Sequence, residues 1–222
     1  SAGVVEAVGR DVTYVKPGDH VITCLSAFCG HCEYCLTGHM SLCQEPELQR
    51  AADQPQRLTK GDENIWQFLN LSSFAEYMLV HEHAIAKIRE DMPLDRAALI
   101  GCGVTTGVGA VIHTAKVEPG SMVAVIGCGG VGLSAINGAE IAGAARIIAI
   151  DTLDSKLDLA RKFGATDVVN ASETDVIKEV RELSVSTGSA ASQVLSSATA
   201  LEQQASTLRA QVDSFLHQVR EG

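Results

Sequence analysis

The sequence predicts an α/β protein, and three observations carry that prediction. A tight cluster of four cysteines interrupts a first part patterned as short strands and turns. Strand-like and helix-like segments then alternate through the second part, the pattern of a parallel, doubly wound sheet. A heptad-spaced run of apolar residues closes the chain.

The elements follow in order. "AGVVEAVG" (2–9) reads as an apolar strand, "VKPGD" (15–19) as a Pro-Gly turn and "HVIT" (20–23) as a second strand. The cysteine lobe comes next, then a polar, irregular surface excursion over 44–66. "SSFAEYMLV" (72–80) and "AIAKI" (84–88) read as further strands. Helices are expected over 93–100, with Pro93 at the start, and over 104–117. A second Pro-Gly turn, "VEPGS" (117–121), leads into the compact strand "MVAVIG". A glycine loop, a helix over 130–142, the strand "RIIAID" (146–151), a helix over 154–164, the strand "DVVN" (167–170) and a helix over about 172–183 complete the alternation. From 184 onward Val194, Ala198, Leu201, Ala205, Leu208, Val212, Phe215 and Val219 step by four and three, an amphipathic helical seam. The alternative for this tail is a loosely docked polar helix, since a short segment buries little by itself.

With 222 residues, 46% of them hydrophobic, the chain suffices for one or two packed domains. Its net charge of −10 speaks against nucleic acid or an anionic membrane as partner, both of which need a positive surface. No apolar run approaches the roughly 20 residues that span a bilayer, and the start lacks the basic and apolar regions of a secretory signal. The seven cysteines therefore read as reduced thiols of a cytoplasmic, soluble protein, and metal binding as their use.

Cys29, Cys32, Cys35 and Cys43 are spaced C-x2-C-x2-C-x7-C. Short gaps let several thiolates converge on one ion from a single loop, and four thiolates close a tetrahedral Zn²⁺ shell. A closed shell has no place for substrate, so this zinc would be structural. An iron–sulfur cluster competes, but its C-x2-C-x2-C-x3-C-P pattern fails at the last gap and at Gln44. Four unrelated core cysteines is the third reading. His31 and His39 lie inside the lobe and are expected to face solvent. His81 and His83, spaced i and i+2 on an expected strand edge, have no third ligand nearby; they, His20 and His113 are read as ordinary histidines.

Gly127-x-Gly129-x-x-Gly132 directly follows a strand and opens a helix. In that setting the pattern is a dinucleotide fingerprint: Gly127 for the tight turn, Gly129 for backbone approach to a pyrophosphate, Gly132 for close packing of helix and strand. The phosphates would sit on the free N–H groups of the helix start. Asp151 ends the next strand and fits the acid that accepts hydrogen bonds from an adenosine ribose, which favours NAD over NADP. A carboxylate about 4 Å from a 2′-phosphate is repelled by roughly 4 kcal/mol per unit charge at an effective dielectric near 20. Lys156 could reach the same ribose. An ordinary strand-end carboxylate and a solvated lysine are the alternatives, and Cys128 is read as a small loop residue.

Together the four-cysteine lobe and the fingerprint resemble the zinc-dependent, medium-chain alcohol dehydrogenases. "GVVEAVG", "KPGDHVI", "SFAEY", "IGCGVTTG", "VAVIGCGGVGLS" and "GAARIIAID" carry the resemblance over about 2–183. It implies a partial GroES-like catalytic domain (1–103) with the lobe at 29–43 and the first half of an NAD-binding Rossmann domain (104–183); the heptad-patterned helical tail (184–222) lies outside it. It further implies oxidation of an alcohol, or reduction of an aldehyde, by hydride transfer with NAD at a second, catalytic zinc, in a family that is usually homo-oligomeric. By the motif "GCGVTTG", Cys102 resembles one catalytic-zinc ligand and Thr106 a residue near the nicotinamide. Without the resemblance Cys102 would read as a buried core cysteine. Gly130 and Val131 resemble the residues bordering the cofactor. The family's other catalytic ligands lie upstream of "SAGVVEAVG", so this chain is expected to be inactive alone. A non-catalytic, zinc-stabilised nucleotide-binding or interaction module is the alternative. The tail resembles the end of methyl-accepting chemotaxis proteins, and a helical partner is possible for it.

Overall fold

A computed structural model describes residues 1–45, 48, 56, 58–68 and 71–185. The heptad seam lies outside the described residues. The chain divides into two compact units, Ser1–Ala110 and Val111–Gly222.

In the first unit β1 (Ala2–Val4), β2 (His20–Thr23) and β5 (Ile85–Lys87) form an antiparallel sheet in the order β1-β2-β5. Gly3 faces Val21, which in turn faces Lys87. The strand expected over 2–9 stops at Val4. The Val5 N–H donates to the Asp19 carbonyl at 2.9 Å, and its own carbonyl accepts from the Gly18 N–H at 2.9 Å, which turns the chain out of the ladder. Asp19 is the polar hub of this turn and is 1% exposed. Its carboxylate takes Lys87 Nζ at 2.8 Å, Lys16 Nζ at 3.0 Å and the Lys16 N–H at 3.0 Å. The Lys87 contact is the largest of the causes that hold its pKa below the usual carboxylate range. A depressed pKa contributes stability above the ordinary carboxylate value near 4, lost as pH falls through the folded value. Asp19→Asn is therefore expected to lower the urea midpoint of this unit at pH 7. The gap to the parent chain should close as pH drops below about 4. A gap independent of pH would show that the charge is not what matters.

Within the polar excursion a hairpin forms, β3 (Leu58–Lys60) and β4 (Glu63–Ile65). The strand expected over 72–80 is not formed: those residues are irregular, with a bend at 74–76, and Phe74 and Tyr77 are exposed. The strand expected over 84–88 is present as β5, Ile85–Lys87. The two expected helices run together as α2 (Leu94–Ala97), a π-helical turn (Ile100–Val104), α3 (Thr105–Gly109) and a second π-helical turn (Ala110–Thr114). Gly101 in the first π-helical turn must be glycine, because a Cβ there would overlap the Thr23 carbonyl. By length and composition this 21-residue run, Leu94–Thr114, could cross a bilayer. That corrects the expectation that no run comes near the length. Its glycines and threonines interrupt any continuous apolar string yet leave the average apolar.

The second unit is a parallel sheet ordered β6-β7-β8, from β6 (Met122–Ile126), β7 (Arg146–Asp151) and β8 (Asp167–Asn170). β7 is central and reads "RIIAI" because it is covered on both faces: Ile147, Ile148, Ala149 and Ile150 are all buried. On one face α4 (Gly130–Ile141) and α5 (Asp154–Lys162) pack Leu133, Ile136, Ala139, Leu157 and Ala160 against Ile147 and Ala149. On the other, Ile148, Ile150 and Val169 meet Val176, Val180 and Leu183 of a helix α6 over 176–185. α6 starts four residues later than the expected 172. The Asp175 carboxylate accepts from the N–H groups of Ile177 (3.0 Å) and Lys178 (3.2 Å), which caps the helix there. Arg146 makes a paired contact with Asp167 at 2.7 and 2.8 Å, and its Nη1 donates to the Leu183 carbonyl at 2.7 Å.

Candidate functional site

The cysteine lobe is built by turns rather than by a core. Cys32 precedes α1 (Glu33–Leu36), Cys35 sits inside it, and Cys43 follows a 3-10 turn at Met40–Leu42. Between sulfurs the distances are 3.8 Å for Cys29–Cys35, 3.5 Å for Cys32–Cys35 and 3.9 Å for Cys32–Cys43. All four lie within 4.8 Å of one another. Tetrahedral Zn–S bonds of about 2.3 Å put sulfurs about 3.8 Å apart, so the thiols already outline a zinc-sized shell. The disulfide bond length of about 2.05 Å is excluded by the same distances, and all seven cysteines are free. Cys29, His31 and Glu45 form a second possible group. It shares Cys29 and would leave three soft thiolates unused, so the four-sulfur set is the better fit. His31 and His39 are exposed.

The lobe is tuned for charge. Burial alone would raise the Cys29 pKa, but the N–H groups of His31 and Cys32, at 3.4 and 3.2 Å, outweigh it and bring the thiol down to about 6. The Cys35 N–H pulls on Cys32, yet burial and the neighbouring sulfurs push that thiol up to about 11. The Cys29 N–H donates to Cys43 Sγ at 3.4 Å. Crowded sulfurs that cannot all ionise together are what a bound cation would relieve.

His83 supports the lobe from outside. Its Nδ1 lies 2.6 Å from the Phe28 carbonyl, and its ring stacks on Phe28 with centroids 4.6 Å apart. It sits in a short 3-10 turn, Glu82–Ala84, capped by His81, not on the strand edge expected from the sequence. Sequence spacing identifies the metal-binding potential of a histidine; a partner 55 positions away gives no local signal.

Cys102 lies in the first π-helical turn and is exposed, so it is not a core cysteine. It lines a cavity of about 440 Å³ with Ser1, Thr23, Leu25, Phe74 and Gly101. Among the described residues it belongs to no group of three or more possible metal ligands. Thr106, in α3, is exposed.

In the second unit the glycine loop has the geometry that its spacing implies. Gly127 takes φ +91°, which favours glycine, and its N–H donates to the Ile150 carbonyl at 2.7 Å. Gly132 must be glycine because a Cβ would overlap the Gly127 carbonyl. Gly129 and Gly130 open onto free space, and Gly130 begins α4. Helix geometry leaves the first N–H groups of α4, from Gly130, Val131 and Gly132, without intrahelical partners. The residues present thus fit a bound pyrophosphate. Val131 is half exposed.

Asp151 does more than end its strand. One oxygen accepts from the Cys128 N–H at 2.8 Å; the other accepts from Thr152 and Leu153 at 2.8 and 3.1 Å. The Cys128 contact is the largest cause of its lowered pKa. Lys156 Nζ stands 3.8 Å from the same carboxylate. Cys128 is the small loop residue expected between β6 and α4, and it is also 1% exposed and part of the core. Burial and the Asp151 charge push its thiol pKa up. The carboxylate was legible in the sequence; its stitching of the glycine loop to β7 was not.

Comparison with known proteins agrees with this arrangement. The alcohol dehydrogenase GroES-like domain matches residues 1–90, and the zinc-binding dehydrogenase family matches 130–211. The second match runs past residue 183, where the resemblance was expected to end. The chain is 47% identical over 175 residues to an alcohol dehydrogenase class-3 of Pisum sativum, covering 77% of this chain and 46% of that protein. It is 48% identical over 184 residues to an S-(hydroxymethyl)glutathione dehydrogenase of Escherichia coli, covering 81% and 50%. Among solved structures, an alcohol dehydrogenase zinc-binding domain protein from Burkholderia ambifaria superposes with a TM-score of 0.74 at 41% identity, over 82% of this chain and 50% of that one. Benzyl alcohol dehydrogenase from Acinetobacter calcoaceticus gives 0.70 at 36% identity, over the same shares. The chain spans about half the length of the curated relatives it matches. A GroES-like part, a partial parallel α/β sheet and a four-cysteine cluster, matched in sequence and in fold, make this part of the chain a member of the zinc-dependent, medium-chain alcohol dehydrogenase family.

Proposed function

We propose that this chain carries the zinc-braced and NAD-binding portion of a dehydrogenase that transfers hydride between an alcohol or aldehyde and NAD, in the reducing cytoplasm. What carries the reading is a zinc-sized cluster of four thiols in a chain that also holds an open glycine turn closed onto Asp151. Cys29, Cys32, Cys35 and Cys43 would hold a structural zinc. The first turn of α4 would receive the pyrophosphate through Gly129, Gly130, Val131 and Gly132. Asp151 and Lys156 would receive the adenosine ribose. Bound NAD would supply the hydride acceptor. Cys102, with Thr106 nearby in sequence, would contribute one ligand to a catalytic zinc whose role is to acidify the alcohol.

A second reading, nucleotide binding without chemistry, is favoured by one observation: Cys102 stands outside any three-ligand group among the described residues. On that ground the chain by itself is expected to give no NAD reduction with simple or aromatic alcohols. Titration calorimetry of the full, zinc-loaded chain with ADP-ribose is expected to show binding, weakened at least about tenfold by Asp151→Asn and by a 2′-phosphate on the ligand. Absence of heat with ADP-ribose, or equal affinity for the 2′-phosphorylated form, would refute the cofactor assignment.

A further inference from the structure

Two side chains beside the four-sulfur shell, His31 and Glu45, have metal-binding chemistry that the shell does not use. Each stands two residues after a shell cysteine, in Cys29-x-His31 and Cys43-x-Glu45. Gly30, inside the first pair, takes φ +86° and folds the chain back, so that the His31 N–H lies 3.4 Å from Cys29 Sγ. The two segments meet where the Cys29 N–H donates to Cys43 Sγ at 3.4 Å. The contact that joins the cysteines therefore also gathers the side chains that follow them. Cys29 Sγ, a ring nitrogen of His31 and a carboxylate oxygen of Glu45 all lie within 4.8 Å of one another. Tetrahedral bonds to one zinc would hold sulfur, nitrogen and oxygen about 3.3–3.6 Å apart. His31 is exposed, so its ring is free to make that small closure, while Cys29 and Glu45 are half-buried.

We propose that Cys29, His31 and Glu45 form an outer station for a second divalent ion of the zinc type, with Cys29 Sγ bridging it to the ion inside the shell. The station rests on the four-sulfur zinc assigned above. A thiolate bound to one ion keeps lone pairs for another. Four thiolates outweigh one Zn²⁺, so the closed shell stays negative, and the Glu45 carboxylate adds to that charge; a second cation is drawn to this side. One sulfur, one nitrogen and one oxygen suit zinc or cobalt, whereas magnesium and calcium take oxygen ligands. Three protein ligands leave the fourth position to water, so the station holds its ion more loosely than the closed shell. Purified chain therefore keeps one zinc, and the second enters on titration.

Equilibrium dialysis of the full chain against rising free Zn²⁺ tests this, and bound zinc is expected to climb in two steps. His31→Gln and Glu45→Gln should each weaken the second step at least about tenfold, the least that even a supporting partner costs a metal site when lost, and leave the first in place. His39→Gln is the control: that ring is also exposed in the lobe, but its Nδ1 sits 3.2 Å from Thr37 Oγ1, outside the trio, and neither step should move. Co²⁺ added to the one-zinc chain should show a sulfur-to-cobalt charge-transfer band, the signature of Cys29 as bridge, and excess Mg²⁺ should not displace it. Saturation at one zinc would overturn the proposal. So would a second step indifferent to both substitutions, a first step lost with His31→Gln, or second-step cobalt without the sulfur band. Cys32→Ser lies outside the trio and tests the parent reading separately: a first step that it leaves unmoved would refute the four-sulfur zinc, and the bridge with it.

Discussion

Stripping zinc from the loaded chain is expected to open the 29–43 lobe and to lower the melting temperature of the first unit by well over 10 °C. Among the described residues the lobe has almost nothing else to hold it. Cys29, Cys32, Cys35 and Cys43 are all partly exposed, no residue of α1 is buried, and Leu36, Met40 and Leu42 face solvent. The free energy of closing it must come from the metal, on the order of 10 kcal/mol for such sites. Purified chain should carry about one zinc and no iron. Cys32→Ser removes one ligand of four; if the binding energy divides evenly that is roughly 3 kcal/mol, about a hundredfold in affinity. Because the Cys32 thiol must lose its proton to bind, apparent affinity should weaken as pH falls. A lobe equally protected from thiol alkylation with and without chelator, or a stoichiometric iron content, would defeat the account.

Gly132→Ala is expected to unsettle the second unit, whereas Gly129→Ala is not. At Gly132 the added methyl runs into the Gly127 carbonyl, backbone that cannot rotate away, and Gly127 is itself pinned to Ile150. Either the loop opens or α4 lifts from Ile147 and Ala149. Overpacking of this kind costs about 1–3 kcal/mol, which for a unit of this size is a loss of roughly 5–15 °C in melting temperature. At Gly129 nothing lies within 4 Å, and its φ of −78° and ψ of −173° suit alanine. That methyl would meet only a bound phosphate. Melting should therefore stay unchanged while ADP-ribose affinity falls. Equal melting losses in both variants would mean that the two glycines share a purely structural role. Differential scanning calorimetry and the ADP-ribose titration separate the cases.

Local chemistry explains which parts were legible. The cysteine spacing and the glycine fingerprint are short-range patterns whose partners sit within a few residues, and the structure places each set together. β7 announced itself because burial on both faces demands a continuous apolar run. The 72–80 segment misled because an apolar, aromatic run is not a sufficient mark of a strand: Phe74, Tyr77 and Leu79 are exposed, and the segment forms no ladder among the described residues. The β3–β4 hairpin was missed although Gly61-Asp62 is a two-residue turn signal, with Gly61 at φ +60°. Its strands are three residues long and exposed throughout, with Leu58 opposite Ile65 as their one apolar pair. The cavity beside Cys102 draws on residues from 1 to 102, and the Asp19 hub joins Lys16 to Lys87; no window along the chain contains either set.

Asp151 sits at the end of β7, the strand buried on both faces. Fraying at a surface loop cannot reach such a strand; only cooperative collapse of the whole sheet exposes it. The carboxylate that orders the glycine turn is therefore anchored to the most persistent part of the unit. A nucleotide bound there would ride on a foundation that outlasts the breathing of everything around it.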